Sequence, residues 1–271
     1  MTAQLGLIGA GRMGEALMAG FLRGGLYQPQ AVCVSHPQPA RRQYWAETYG
    51  VRVTPENRDA ADSSVLLLAV KPQQFSSVRD ALGELPGKDT LLVSVLAGVT
   101  LATLEAAFPG RPVIRAMPNT PARVGEACTA LAFGHRVGSD QRAWGERLFA
   151  TVGQVAVVAE TQMDAVTALA GSGPAYVAVV VEALIDGGVA AGLPRPLATQ
   201  LALQTVLGSV KLMQTETLHP AQLKDQVTSP AGTTMAGLAH LEQAGVRGAL
   251  IQTVLAAYQR SQSLGQATQP R

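Results

Sequence analysis

Apolar and polar positions follow two different patterns along this chain. In the first half, short apolar runs alternate with stretches of helical spacing. Residues 4–8 read as a strand, and residues 14–24 carry helical spacing that closes in Gly24-Gly25. Residues 31–35 read as a second strand, followed by a polar segment that puts Arg41 and Arg42 on a helix. Residues 51–53 give a short third strand. Residues 65–70 are continuously apolar, as expected for a parallel strand covered on both faces. Residues 90–95 and 113–115 repeat the pattern. Strands alternating with helices predict an α/β fold with a doubly wound parallel sheet.

After about residue 160 the strand signals stop. Residues 164–192, 196–215, 220–227, 233–243 and 246–265 read as helices, with Pro174, Pro196, Pro220 and Pro230 near starts or kinks. The pattern divides the chain into residues 1–160 and 161–271. An all-helical half of this size with so many apolar positions is hard to close as an isolated globule. It is better shared between subunits. Residues 266–271 read as a polar tail.

Composition narrows the classes. Charged residues are 15% of the 271, and the net charge of +2 gives no clustered basic footprint for nucleic acid. Aromatics at 4% predict a core of closely packed small side chains. Cys33 and Cys128 read as two buried thiols with no metal-ligand spacing, and no metal site is expected. No signal peptide is evident. The apolar run around 177–181 is cut by Glu182 and reads as too short for a bilayer. The expectation is a cytoplasmic protein without a membrane or nucleic-acid partner.

Two motifs carry chemistry. Gly9-Ala10-Gly11-Arg12-Met13-Gly14 follows the first strand and opens a helix. In a Rossmann-type fold Gly9 allows the tight turn, Gly11 admits backbone to a pyrophosphate, and Gly14 lets helix and strand pack closely. The helix N-terminus favours the phosphate charge. The second strand ends in Ser35-His36-Pro37-Gln38, without the acid that holds a ribose 2′-hydroxyl in NAD sites. Ser35 and His36 suit a 2′-phosphate, with Arg41 or Arg42 adding charge if their helix faces it. NADPH is therefore expected in preference to NADH. Ala69-Val70-Lys71-Pro72, Ala97-Gly98 and the segment holding Asn119 end later strands, where ligand crevices open. Lys71 is placed to contact cofactor, and Asn119 to bond a nicotinamide carboxamide.

The second motif is the run from Asp225 through Gln226, Thr228, Ser229, Pro230 and Gly232 to Thr233 and Thr234. Gly232 admits unusual backbone angles, and the threonines open a helix whose free N–H groups suit a carboxylate. A plain N-cap turn has the same local sequence.

Taken together, the chain resembles the pyrroline-5-carboxylate reductases over nearly its full length. The likeness runs through residues 6–14, 68–72, 115–121, 170–176, 186–189, 192–194 and 223–225 and ends in the 229–234 turn. It implies reduction of the C=N bond of 1-pyrroline-5-carboxylate to L-proline, the last step of proline synthesis. It implies an all-α C-terminal dimerisation domain, a homodimer with interlocked helices, and assembly into rings as large as a decamer. By family analogy Thr234 bonds the imine nitrogen, while backbone at Gly232 and Thr233 holds the carboxylate. Ser229, Gln226 and Glu160 join the substrate set, and Asn57 the cofactor set. Gln226 and His36 depart from residues common at those places. His135, His219 and His240 read as surface or cap residues. Two other readings remain. A β-hydroxyacid dehydrogenase would need a Lys a few residues before an Asn, and neither Lys211 nor Lys224 has one. A non-catalytic NADP-binding regulator would bind cofactor without turnover.

Overall fold

The computed structural model describes residues 3–86 and 89–267. It falls into two compact units: Met1–Ser172 with Ala257–Arg271, and Gly173–Ala256.

The first unit is built on eight strands in the order β3-β2-β1-β4-β5-β6-β7-β8. They are β1 (Ala3–Ile8), β2 (Val32–Ser35), β3 (Arg52–Thr54), β4 (Ser63–Leu68), β5 (Leu91–Ser94), β6 (Val113–Met117), β7 (Ala127–Phe133) and β8 (Gly153–Val157). All neighbours pair parallel except β6 and β7. Leu5 pairs with Val32 on one side and Val65 on the other. The order reverses from β1 to β4, which opens a crevice at the carboxyl ends of those strands.

Period-two alternation splits the apolar residues between two layers. Leu5, Leu7, Leu67 and Val93 pack under α1 (Arg12–Arg23) and α2 (Pro39–Tyr49). Ile8, Leu66, Leu68 and Leu92 pack under α3 (Asn57–Ala61), α4 (Phe75–Leu82) and α5 (Leu101–Ala107). Aromatics are few but sit deep. Trp45, Phe21 and Phe149 are the largest fully buried side chains, so the core is not made of small residues alone. Emptying one such site to alanine costs about 3–5 kcal/mol.

Three findings depart from the sequence expectation. First, β7, β8 and the helix between them, α6 (Ser139–Ala150), carry no signal read above. The β7 run is alanine-rich, and β8 is largely exposed. Second, Cys33 is buried but Cys128, the second residue of β7, is exposed. Third, the helix expected over 164–192 is broken. A 3-10 turn (Glu160–Gln162) leads into α7 (Met163–Val166), a π-helical turn (Thr167–Gly171) and α8 (Gly173–Ala190). Pro174 has no N–H to give the Ala170 carbonyl. Asn119 Nδ2 donates to that carbonyl instead, at 3.1 Å. This run, 160–190, is long and apolar enough by length and composition to cross a membrane, which the interruption at Glu182 had seemed to forbid.

The second unit contains α8, α9 (Arg195–Thr215), α10 (Pro220–Gln226), α11 (Thr233–Gln243) and the start of α12 (Val246–Ala267). Gly188 on α8 allows close approach to Ala198 on α9. Among the described residues, Ala198 is the one buried residue of this unit. Val177, Val179, Leu184, Leu201, Leu203 and Leu207 all stand exposed. The tail expected at 266–271 lies outside the described residues from 268 onward.

Candidate active site

The Gly-rich turn joins β1 to α1, and its glycines differ in what a side chain would meet. Gly9 has φ +103, and a Cβ there would fall 2.4 Å from the Ala69 carbonyl carbon. A Cβ on Gly14 would fall 2.4 Å from the Gly9 oxygen. A Cβ on Gly11 meets nothing within 4 Å. The first and third glycines are thus needed by the fold, while the second faces open space. Gly11 caps α1 without a side-chain hydrogen bond, leaving the first N–H groups of that helix for a ligand.

A cleft of about 340 Å³ opens at this turn. It brings together Gly9, Ala10 and Gly11, then Ser35, His36 and Pro37 after β2, Asn57, and Ala69, Val70 and Lys71 after β4. Gln74, Ser77 and Val78 complete its wall. Those three follow the Pro72 turn on a segment with no motif, so only the fold reveals them. Arg12, Met13 and Gly14 form the first turn of α1 beside the cleft, and Pro72 opens a short 3-10 turn after it.

The rim of this cleft is cross-braced. The Ser35 hydroxyl donates to Asn57 Oδ1 at 2.8 Å. His36 Nδ1 accepts from the Gln38 N–H at 3.1 Å. Partial burial, with the Arg41 and Arg42 charges, holds the imidazole below its usual pKa. A neutral ring whose Nδ1 accepts must carry its proton on Nε2. Arg42 donates to the His36 and Pro37 carbonyls at 2.8 and 2.7 Å. Arg41 donates to the Ala10 carbonyl at 2.8 Å and pairs with Glu15 at 3.0 Å. Both arginines are therefore already bonded to the loops they were expected to charge.

Glu15 also accepts from Tyr44 at 2.6 Å and Tyr49 at 3.2 Å. Partial burial pushes its carboxyl up, but the Tyr44, Arg41 and Tyr49 hydrogen bonds outweigh it and hold it below the ordinary range. Burial and the neighbouring carboxylate push Tyr49 up to about 12, so its hydroxyl stays a donor.

Further along the edge, Ala97 is exposed, and Gly98 lies under the end of α12, at Leu264 and Gly265. Asn119 is nearly buried, and its amide is engaged at both ends. Its Oδ1 accepts from the Cys128 N–H at 3.0 Å, while its Nδ2 serves Ala170. Glu160 Oε1 accepts from the Leu101 N–H at 2.6 Å, at the start of α5, and from the buried Arg115 at 2.9 Å.

In the second unit the polar turn is well formed. Gln226 ends α10. The Thr228 hydroxyl donates to the Lys224 carbonyl at 2.6 Å, and the Gly232 N–H to the Ser229 carbonyl at 3.1 Å. The left-handed residue is Ala231, at φ +54, whereas Gly232 has φ −78. A Cβ at 232 would meet Ser229 Oγ at 2.4 Å and the Ser229 carbonyl oxygen at 3.2 Å, so any side chain there would turn the serine hydroxyl out of its present position. Thr233 and Thr234 are the first residues of α11, where N–H groups have no intrahelical acceptor. Among the histidines set aside above, His219 caps α10 by accepting from the Ala221 N–H, and His135 is an exposed partner of Glu105.

Sheet order, glycine turn and open cleft together define a dinucleotide-binding oxidoreductase fold. Residues 4–98 match a family profile described as NADP oxidoreductase, coenzyme F420-dependent. Residues 160–264 match the pyrroline-5-carboxylate reductase dimerisation profile. A pyrroline-5-carboxylate reductase of Synechocystis sp. is 52% identical over 98% of this chain and 99% of its own length. One from Pisum sativum is 44% identical over 96% and 95%. The crystal structure of a Plasmodium falciparum pyrroline carboxylate reductase with NADP bound superposes with a TM-score of 0.88 at 30% identity, covering 97% of this chain and 98% of that one. The chain belongs to the pyrroline-5-carboxylate reductase family, and its helical second unit lies within the dimerisation region.

Proposed function

We propose that this chain reduces the C=N bond of 1-pyrroline-5-carboxylate to give L-proline, with NADPH as reductant. The observation that carries this reading is the 52% identity to a named reductase across essentially the whole of both chains. The open space at Gly11 supports it independently, since a pyrophosphate can approach where any side chain would intrude.

NADPH is favoured because no carboxylate lines the cleft to accept a ribose 2′-hydroxyl. The His36 Nε2–H and the Asn57 amide N–H groups, the latter held in place by the Ser35 hydroxyl, are the donors offered to a 2′-phosphate there. NADH is the weaker alternative. Arg12, Met13 and Gly14 present the α1 N-terminus to the pyrophosphate. Ala69, Val70, Lys71 and Pro72, with Ala97, Gly98 and Asn119, form the edge along which the rest of the cofactor lies.

When bound, the reduced nicotinamide supplies hydride to the imine carbon. The chain's own groups bind and orient. The Thr233 N–H, at the α11 N-terminus beside Gly232, holds the substrate carboxylate, while the Gly232 N–H stays on the Ser229 carbonyl and fixes the turn. Ser229 and Gln226 flank it. The Thr234 hydroxyl donates to the ring nitrogen and fixes its position. That hydroxyl is too weak an acid to protonate the imine outright, so the proton comes from solvent. Glu160, bonded to Leu101 and Arg115, braces the edge of the site. Most of the acceleration is positioning. The unit works as a homodimer in the cytoplasm, extending to rings as large as a decamer, without membrane or nucleic-acid partners.

Loss of NADPH absorbance with 1-pyrroline-5-carboxylate tests this, run beside NADH and Thr234→Ala. Turnover should fall on the order of 10²-fold or more in the variant. A folded sample that binds NADPH yet turns over with neither cofactor would sink the reading.

A further inference from the structure

Between β5 and α5 the chain makes a short loop, residues 95–100, that carries Ala97 and Gly98. Its residues divide the work. Leu96 and Val99 are buried in the layer under α4 and α5, while Ala97 stands exposed and Gly98 turns the chain at φ +76. The two buried side chains fix the depth of the loop, but apolar contacts have no direction. Its lateral position depends on hydrogen bonds at its two ends. At the start, the Val95 N–H donates to the Leu68 carbonyl at 3.0 Å. At the far end, the Leu101 N–H donates to Glu160 Oε1 at 2.6 Å, across 59 positions of sequence.

That carboxylate is itself held. Arg115 Nη1 donates to the same Oε1 at 2.9 Å. Arg115 sits in the middle of β6, paired with Ser94 of β5 and Ala132 of β7, so its backbone moves only with the sheet. Its side chain is 4% exposed, and Glu160 is its one carboxylate partner among the described residues. Its buried Nε has no partner among them. A buried guanidinium with one counter-ion holds that ion firmly, because separating the pair strands a charge away from water. Glu160 lies on the 3-10 turn after β8 and is partly exposed, so the pairing is what keeps its carboxylate turned inward.

We propose that Arg115 is a positioning residue for the cofactor: through Glu160 it holds the Ala97–Gly98 loop against the nicotinamide half of the dinucleotide. The inference rests on the cofactor placement given above. Strand order supplies the direction. A dinucleotide straddles the reversal between β1 and β4 with its adenosine ribose at the end of β2, which leaves the nicotinamide on the β4–β5 side. Arg115 acts on the cofactor only through the loop.

The test is calorimetric titration of the full chain with NADPH, in wild type, Arg115→Lys, Glu160→Ala and the double variant. Each single variant is expected to raise the Kd about 10-fold, and the double variant no more than either, because one tie is cut twice. The fragment 2′-phospho-ADP-ribose, which lacks the nicotinamide, should bind wild type and variants alike. Three results would overturn the proposal. The first is an unchanged NADPH Kd in Glu160→Ala, which decides the matter even if Arg115→Lys does not fold. The second is losses that multiply in the double variant. The third is an equal loss for the fragment, the mark of a general structural effect. Wild-type protein that binds NADPH without turnover would sink the reductase reading and leave this inference standing, whereas wild-type protein that binds no NADPH would sink both.

Discussion

Replacing Gly11 with alanine puts a methyl group into open space, while the same change at Gly14 drives it into the Gly9 carbonyl. The two substitutions should therefore separate function from folding. Gly11→Ala is expected to keep the wild-type melting temperature and raise the Kd for NADPH about 10-fold or more, because the methyl stands where phosphate must approach. Gly14→Ala should lower stability by about 1–3 kcal/mol through overpacking. Thermal melts beside cofactor titrations would check both. The glycine motif announced these roles because each is a steric demand. The turn at Ser229 was less legible. Propensity assigned the unusual backbone to its glycine, yet Ala231 holds the positive φ and Gly232 has φ −78. Left-handed geometry costs alanine roughly 1–2 kcal/mol, partly offset by the entropy glycine loses on folding. Ala231→Gly should accordingly stabilise the protein by about 0.5 kcal/mol in urea denaturation, and a loss of stability would contradict this reading of the turn.

At the scale of elements, the Glu15 carboxylate ties α1 to α2, and its lowered pKa makes that tie depend on pH. A depressed acid contributes stability that is present above its unfolded pKa and lost as pH falls through the folded one. Glu15→Gln should cost about 1 kcal/mol at pH 7, with the difference from wild type closing below about pH 4. Urea midpoints measured across pH would show whether the two curves converge. Asn119 joins elements in another way, since β7 and the π-helical turn meet on its two amide ends. Asn119→Ala leaves a backbone donor and acceptor without that partner and should cost about 2–4 kcal/mol. The broken helix was half visible in sequence. Pro174 marked a kink, but the position of the break depends on a side chain more than fifty residues earlier, which periodicity cannot see.

For the whole molecule, the alternation of strands and helices through β6 was legible because parallel strands buried on both faces are uniformly apolar. The β7–α6–β8 segment was not, since alanine has little strand preference and an exposed edge strand needs no apolar run. The second unit was legible by its deficit: too many apolar residues for too little core. Ala198 alone is buried there, so folding of these helices should depend on association. Leu203→Glu on the exposed face of α9 is expected to shift the protein toward monomer in light scattering and to make its melting temperature more concentration-dependent. A wild-type oligomer retained in the variant would remove Leu203 from the interface.

The nucleotide-binding unit is not continuous in the chain. Its last part, from Ala257, returns after the whole helical unit, setting Leu264 and Gly265 over the Gly98 turn and bonding Ser261 to Asp164 at 2.7 Å. A ribosome therefore releases the sheet early but the piece that finishes it last. A message cut short before Ala257 yields a chain defective in the part it made first. Damage to the segment from Ala257 would therefore be felt in a unit whose first strand lies about 250 residues earlier in the sequence.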